Sequence, residues 1–235
     1  MTYYPVFLEV TGRPVLVIGG GRVGLEKVSG LLAAGAAITV VSPELEPTLA
    51  AWGDEGRFRH VARAYEPGDL EGCALVFVAT DDRSANATIR AEGRRRGIWV
   101  NAVDDPPNCD FILPSVVRRG TMTLAISTGG GSPAMARRVR EELTDYFTED
   151  FEGLAEMLAE VRQDLKRRGV LRHVSQATWQ RAIDGRLRAL LAQRRWGQAK
   201  ALLLSRLGPA VLPAPSPAAA PPGGCAAAAT SGGRP

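Results

Sequence analysis

The chain is poor in the residues that would tie it to a metal centre, a disulfide framework or a membrane. Its three cysteines, Cys73, Cys109 and Cys225, are odd in number, far apart and without Cys-x-x-Cys spacing. That argues against both a disulfide scaffold and a zinc site, and all three read as inert thiols. Only two histidines are present, His60 and His173, and neither lies near a candidate site, so each reads as structural or surface. No apolar run approaches the roughly 18 residues of a membrane helix, and the start, MTYYPVFLEV, lacks a basic region followed by a long apolar one. The expectation is a cytoplasmic protein with no membrane partner.

What is present suffices for more than one compact unit. With 235 residues, 45% of them hydrophobic, two or three units are expected. The formal charge of +4 hides an asymmetry. Residues 1–150 carry 16 Lys+Arg against 20 Asp+Glu, and the remainder 13 against 5. A basic second part suits an acidic partner, or solubility alone.

Four short apolar runs, residues 15–18, 38–41, 75–78 and 98–100, are rich in β-branched side chains. Between the first two, Val23, Leu25, Val28, Leu31 and Leu32 fall near helical spacing and stop at Gly35; residues 83–96 form a second, polar, helix-length stretch. Strands alternating with helices predict a Rossmann-like α/β fold, a parallel sheet with right-handed crossovers. After Asn101 the rhythm changes. DFILPSVVRRGTMTLAIST predicts two strands around an Arg119-Gly120 turn, followed by a helix that Ser132 caps with Pro133 at its first position. This small α+β unit has little core of its own and is expected to bury its apolar face against a second copy. Leu154, Leu158, Val161 and Leu165 mark an amphipathic helix, and Trp179, Ile183, Leu187, Leu190 and Leu191 another; a third runs from near Trp196 to Leu207. The Pro/Ala/Gly-rich remainder cannot bury enough surface to offset its ordering entropy, which predicts a disordered tail.

Gly19, Gly21 and Gly24 match G-x-G-x-x-G where a predicted strand turns into a predicted helix. The first glycine permits a tight turn, the second lets a pyrophosphate approach the backbone, and the third lets helix and strand pack closely. Free N–H groups at the helix start suit the phosphates. A glycine turn that binds nothing has the same letters, but its strand–helix context favours a dinucleotide. Such sites usually end the second strand with an acid that takes the ribose. Here the strand ends Val40-Val41-Ser42, and the nearest carboxylate is Glu44. Ser42 can hydrogen-bond a ribose hydroxyl, and Glu44 can curl back to it. No arginine stands beside them for a 2′-phosphate, so NAD is preferred over NADP.

Ligands bind at the carboxyl edge of such a sheet. ATDD (79–82) lies there, and NAVDDPPNCDF brings Asn101, Asp104, Asp105 and Asp110 to it. A carboxylate beside a nicotinamide could act as general base or hold a metal ion, although any one of these alone reads as readily as a solvated turn former. STGGGSP (127–133) is a second glycine-rich helix entry whose N–H groups, with Arg137, Arg138 and Arg140, could hold substrate carboxylates. A plain capped turn with a solvated basic face fits the same residues. No Tyr-x-x-x-Lys pair occurs, which argues against a short-chain dehydrogenase.

GGGRVGLEK, VSPE, ATDD, NAVDDP, CDFILPS and ISTGGGSP, in this order and spacing, resemble the precorrin-2 dehydrogenases, NAD-dependent enzymes of sirohaem synthesis, some of which are also sirohydrochlorin ferrochelatases. The resemblance is strong over residues 3–145 and loose to about Leu207. It implies oxidation of precorrin-2 to sirohydrochlorin with hydride passing to NAD, in some relatives followed by ferrous iron insertion, and a homodimer interlocked through the antiparallel unit. It places NAD on Gly19, Gly21, Arg22, Val23, Gly24, Ser42, Pro43, Glu44, Ala79, Thr80 and Asn101. The family's catalytic aspartate ends Asn-x-x-Asp, here Asn101-Ala102-Val103-Asp104, so Asp104 is the implied catalytic residue and, for a chelatase, the transient iron ligand. Asp105 is its neighbour at the substrate, with Ser127, Thr128, Gly129, Gly130 and Ser132; Arg118 and Arg119 add charge that suits a many-carboxylate tetrapyrrole. The implied organisation is an NAD-binding Rossmann domain over 1–113, a dimerisation and substrate unit over 114–147, a helical domain over 148–207 and the disordered tail over 208–235. The chain shows no methyltransferase domain, so it resembles the stand-alone enzymes, with precorrin-2 made by another protein.

The competing class is a nucleotide-sensing Rossmann module whose basic helical region acts on an effector. Its arginines are spread over several helices with few aromatics and no helix-turn-helix spacing, so no nucleic-acid partner is expected. An oxidoreductase for a different acidic substrate would share fold and cofactor.

Overall fold

The computed structural model describes residues 3–80 and 82–211. The chain divides into two compact units: residues up to 115 with 125–139, and residues 116–124 with those from 140 onward. The segment 114–147, expected to act as one element, is thus shared between them in sequence.

The first unit holds β1 (Pro14–Ile18), α1 (Arg22–Ala33), β2 (Ala37–Val41), α2 (Pro47–Asp54), β3 (Arg59–Val61), β4 (Leu75–Val78), α3 (Arg83–Arg96) and β5 (Trp99–Ala102). All five strands are parallel, in the order β3-β2-β1-β4-β5. Val15, Leu16, Val17 and Ile18 are all buried because both faces of β1 are covered. Alternate side chains supply two cores. Val15, Val17, Ile38, Val40, Leu75 and Phe77 pack with Val28 and Leu31 of α1 and Leu49 of α2. Leu16, Ile18, Val41, Val76, Val78, Val100 and Ala102 pack with Ile89 of α3.

Two elements went unseen in the sequence. The strand β3 reads Arg-His-Val with no buried side chain, and α2 buries only Leu49; α2 starts where the Glu46 carboxylate accepts from Thr48 and Leu49 N–H and Pro47 follows. The last strand also runs further than the expected 98–100, through Asn101 to Ala102.

A two-residue connection joins β6 (Ser115–Arg119) and β7 (Met122–Ile126) into a separate hairpin, and α4 (Pro133–Tyr146) follows, with Ser132 Oγ accepting from Met135 N–H at 3.2 Å. Within 115–146 only Val117 and Ala136 are buried.

The second unit's helices are α5 (Glu149–Arg167), α6 (Gln176–Ala182), α7 (Gly185–Ala192) and α8 (Trp196–Leu207), packed around Leu154, Met157, Val161, Leu165, Leu187, Leu191, Leu203 and Leu207. The expected single helix from Trp179 to Leu191 is two. Asp184 breaks it by capping α7, accepting from Leu187 N–H at 3.0 Å and from Arg206 at 2.8 Å, and Ile183 is left exposed. At the other end Val211 is buried in this core and its carbonyl accepts from Arg168 at 2.9 Å. Ordered chain therefore enters the segment expected as a tail; its residues 212–235 lie outside the described residues. No described helix is long and apolar enough to cross a membrane.

Leu203→Ala, at a fully buried site, is expected to destabilise the helical unit by about 2–5 kcal/mol. Urea titration followed by Trp179 and Trp196 fluorescence, with Trp52 and Trp99 replaced by Phe, measures it. The hydrogen bond from Arg206, with that from Leu187 N–H, holds the Asp184 carboxyl down from 3.8 to about 2. Its contribution is complete above 3.8 and lost as pH falls towards 2, so this unit weakens across that window. Asp184→Asn should remove that part of the acid dependence in the same fluorescence assay.

Candidate active site

The site begins where β1 ends. Gly19 has φ +109°, and a Cβ there would overlap the Ala79 carbonyl oxygen at the end of β4. Gly19 N–H donates to Val41 O at 2.9 Å and Ala79 N–H to Ile18 O at 2.7 Å. The turns after β1 and β4 therefore touch at the point where the strand order reverses, which is where such sheets open their ligand crevice. Gly24 is needed for a second close approach, since a Cβ there would overlap the Gly19 carbonyl oxygen.

Gly21 differs from both. Its φ is an ordinary −81°, and a Cβ there would meet no protein atom within 4 Å. The fold has no use for a glycine at this place, whereas a pyrophosphate lying against the backbone does. The helix α1 starts with no side-chain cap and no acidic residue in its first turn, and its first backbone bond is Leu25 N–H to Gly21 O. The N–H groups of Arg22, Val23 and Gly24 are left for an anion. These features fit the phosphates of NAD.

At the ribose end the Ser42 side chain is already engaged within the loop. Ser42 is buried and its hydroxyl donates to Glu44 O at 2.7 Å, while its own carbonyl accepts from His60 Nε2 at 2.9 Å. The Ser42 hydroxyl proton is thus turned back into the loop, and only oxygen lone pairs remain for a ribose. Pro43 and Glu44 are exposed, and Glu46 N–H to Gly20 O at 2.7 Å ties this loop to the glycine turn.

At the ends of β4 and β5 most of the polar residues serve the fold. Thr80 Oγ1 accepts from Asp82 N–H. Asp82 caps α3, accepting from Ser84 and Ala85 N–H, and the Ser84 hydroxyl bond first among these holds its carboxyl below the usual range. Asp81 lies outside the described residues. Asn101, implied as a cofactor ligand, is buried and donates through Nδ2 to Phe111 O at 2.8 Å, so it ties down the loop after β5. Asp110, expected at the carboxyl edge, lies alongside β5, pairing with Arg90 and accepting from Val100 N–H at 3.0 Å. Asp105 accepts from Asn86 at 3.1 Å and Asn108 at 2.8 Å. The Cys109 thiol donates to Ala102 O at 3.0 Å, and burial pushes its pKa up, as suits an inert thiol.

Asp104 is the exception. Its side chain is exposed, no hydrogen bond or ion pair among the described residues holds its carboxylate, and its φ is +57°. It sits in a turn closed by Asp105 N–H to Ala102 O at 3.3 Å.

The second glycine-rich loop is internally bonded. Thr128 Oγ1 donates to Ser132 O at 3.1 Å and accepts from Ser132 N–H at 2.9 Å, and Ser127 Oγ accepts from Gly129 N–H. Gly129 and Gly130 are exposed. Arg119, expected to offer charge to a substrate, instead closes the C-terminus of α4, donating to Phe147 O at 2.7 Å and Thr144 O at 3.0 Å. Among the described residues no three His, Cys, Asp or Glu side chains converge on a metal-sized space. Sequence reasoning missed Asn86 and Arg90, which lie buried on α3. The signal was two polar residues one turn apart on either side of Ile89.

The three glycines can be told apart by experiment. Gly21→Ala should leave stability within about 0.5 kcal/mol of wild type yet weaken NAD at least about tenfold, the loss expected when backbone can no longer approach the phosphates. Gly24→Ala should lower the thermal midpoint as well. Thermal melts beside calorimetric titration with NAD measure both.

Residues 6–115 match the family model described as NAD(P)-binding, and residues 119–146 that of the sirohaem biosynthesis protein central region. Siroheme synthase of Methylobacillus flagellatus is 42% identical over 185 residues, 79% of this chain and 40% of that protein. Siroheme synthase 2 of Aeromonas hydrophila is 41% identical over 199 residues, 83% of this chain and 42% of that protein. The chain thus spans about two fifths of the length of these curated relatives. The solved structure of the precorrin-2 dehydrogenase SirC superposes with a TM-score of 0.66 at 30% identity, covering 85% of this chain and 99% of that one. On this agreement over nearly the whole of a solved relative, the chain belongs to the sirohaem-biosynthesis family that includes the precorrin-2 dehydrogenase SirC.

Proposed function

We propose that this protein is an NAD-dependent dehydrogenase that oxidises precorrin-2 to sirohydrochlorin, with Asp104 as the base. The observation that carries the reading is the division of labour at the sheet edge. Asp82, Asp105 and Asp110 are each engaged in caps, turns or ion pairs, whereas the Asp104 carboxylate is exposed and has no partner among the described residues. NAD, when bound, supplies the hydride acceptor. The chain holds the phosphates on the N–H groups of Arg22, Val23 and Gly24 and sets the reacting edge at the turns after β1 and β4. With NAD bound to accept a hydride, two electrons and one proton would leave precorrin-2 together, and the Asp104 carboxylate would take the second proton and hand it to water. Aromatisation of the macrocycle drives that loss, so positioning supplies much of the rate.

The proposal includes a homodimer. It is supported by the hairpin and α4, which bury only Val117 and Ala136 while Leu113 and Met135 near them in sequence are exposed. Ferrous iron insertion is proposed at the same carboxylate, whose oxygens could briefly hold the ion.

The test is anaerobic turnover of enzymatically generated precorrin-2 with NAD, following NADH and the tetrapyrrole spectrum, then adding ferrous iron. NAD-dependent formation of sirohydrochlorin is expected, with Asp104→Asn slower by about 10²–10⁴. NAD binding with precorrin-2 left intact would reject the substrate. An unchanged spectrum after iron addition would reject the second reaction alone.

A further inference from the structure

We infer that Asn86 and Arg90, one turn apart on α3, are positioning residues for Asp104: a buried polar clamp that holds the loop after β5 in the conformation that presents the carboxylate. The inference rests on the role proposed for Asp104. That residue adopts φ +57°, one of two non-glycine residues with positive φ among those described. Asp tolerates such backbone better than most side chains, yet it still carries a cost that the surroundings must offset. Here the loop is pinned at both ends. At the near end Asn86 Nδ2 and Asn108 Nδ2 both donate to Asp105 Oδ2, at 3.1 and 2.8 Å, directly beside Asp104. At the far end Arg90 pairs with Asp110, whose other oxygen accepts from Val100 N–H and whose own N–H donates to Val100 O at 2.7 Å.

A second observation separates this from ordinary loop anchoring. Asn86 Oδ1 and Arg90 Nε are buried without a hydrogen-bond partner, and among the described residues no other buried side-chain nitrogen or oxygen is left so. Both orphans therefore sit on the two clamp residues. Polar atoms buried without a partner oppose folding, and apolar side chains at 86 and 90 would pack beside Ile89 without that cost. The bonds these residues give Asp105 and Asp110 offset part of that cost, but apolar residues at all four positions would avoid it altogether, so stability alone does not explain the set. Holding the Asp104 turn does, since without the clamp Asp104 can relax to an ordinary φ and carry its carboxylate away from the reacting edge.

The test compares Asn86→Ala, Arg90→Lys and the reciprocal pair Asn86→Asp with Asp105→Asn, which restores the hydrogen bond with donor and acceptor exchanged. Asn86→Ala should lower kcat for precorrin-2 oxidation by about ten- to a hundredfold, with the Kd for NAD unchanged. In the ligand-free protein, amide exchange of residues 101–111 should quicken while exchange in β1 and β4 stays as in wild type. On an Asp104→Asn background Asn86→Ala should cost nothing further, because the two act as a unit. The reciprocal pair should recover most of kcat. Should Asn86→Ala fail to fold, Arg90→Lys and the reciprocal pair decide by the same readouts.

An unaltered exchange rate in the loop would overturn the clamp, and this readout needs no substrate. So would wild-type kcat in Asn86→Ala beside an inactive Asp104→Asn, or a kcat loss that persists undiminished on the Asp104→Asn background. Full turnover by Asp104→Asn would instead reject the proposed base, and this inference with it.

Discussion

The first unit is organised around one close contact, the approach of Gly19 to the Ala79 carbonyl where the turns after β1 and β4 meet. Any side chain at residue 19 would overlap that oxygen, and the backbone there already stands at φ +109°. The contact exists because β1 lies between β2 and β4, so the chain leaves the two central strands towards opposite sides. Helices α1 and α2 then cover one face and α3 the other, each supplied by alternate residues of the same strands. The crevice is what remains between connections that diverge. It needs no dedicated cavity-forming residues, only strands apolar on both faces and a glycine where the two turns touch.

The loop after β5 shows how one short polar segment is divided between folding and chemistry. Polar residues from the end of β5 through this loop carry donors or acceptors that the one-dimensional sequence does not tell apart. Asn101 and Cys109 bond within the loop, Asp105 and Asp110 bond to α3, and Asp104 bonds to nothing described. Burial makes the difference. Partly buried carboxylates at 105 and 110 are retained because each has a donor, while the exposed one at 104 needs none and keeps its lone pairs. The unmatched atoms of this region lie one shell out, on Asn86 and Arg90.

Elements whose burial is repeated along the chain were legible in the sequence. β1, β2 and β4 read as apolar runs because both faces are covered, α3 and α8 matched their spacing, and the hairpin, which buries only Val117, was legible instead from its Arg119-Gly120 turn. Elements that bury little were not. β3 contributes backbone pairing to β2 with polar side chains, and α2 contributes a single leucine, so neither leaves a periodic trace. The break at Ile183-Asp184 was hidden because leucines on both sides keep a helical period across it, and it takes the Arg206 partner to make Asp184 a cap.

Taken alone, the sequence determined the glycine turn, the fold class and the set of acids from which a base could come, because these depend on local spacing and on a backbone conformation at Gly19 that other residues do not accept. Which acid stands free, where the Ser42 hydroxyl points and what Arg119 holds were decided by tertiary structure. Each depends on a partner distant in the chain or on how a turn folds back, and spacing carries no record of hydrogen bonds made across a fold.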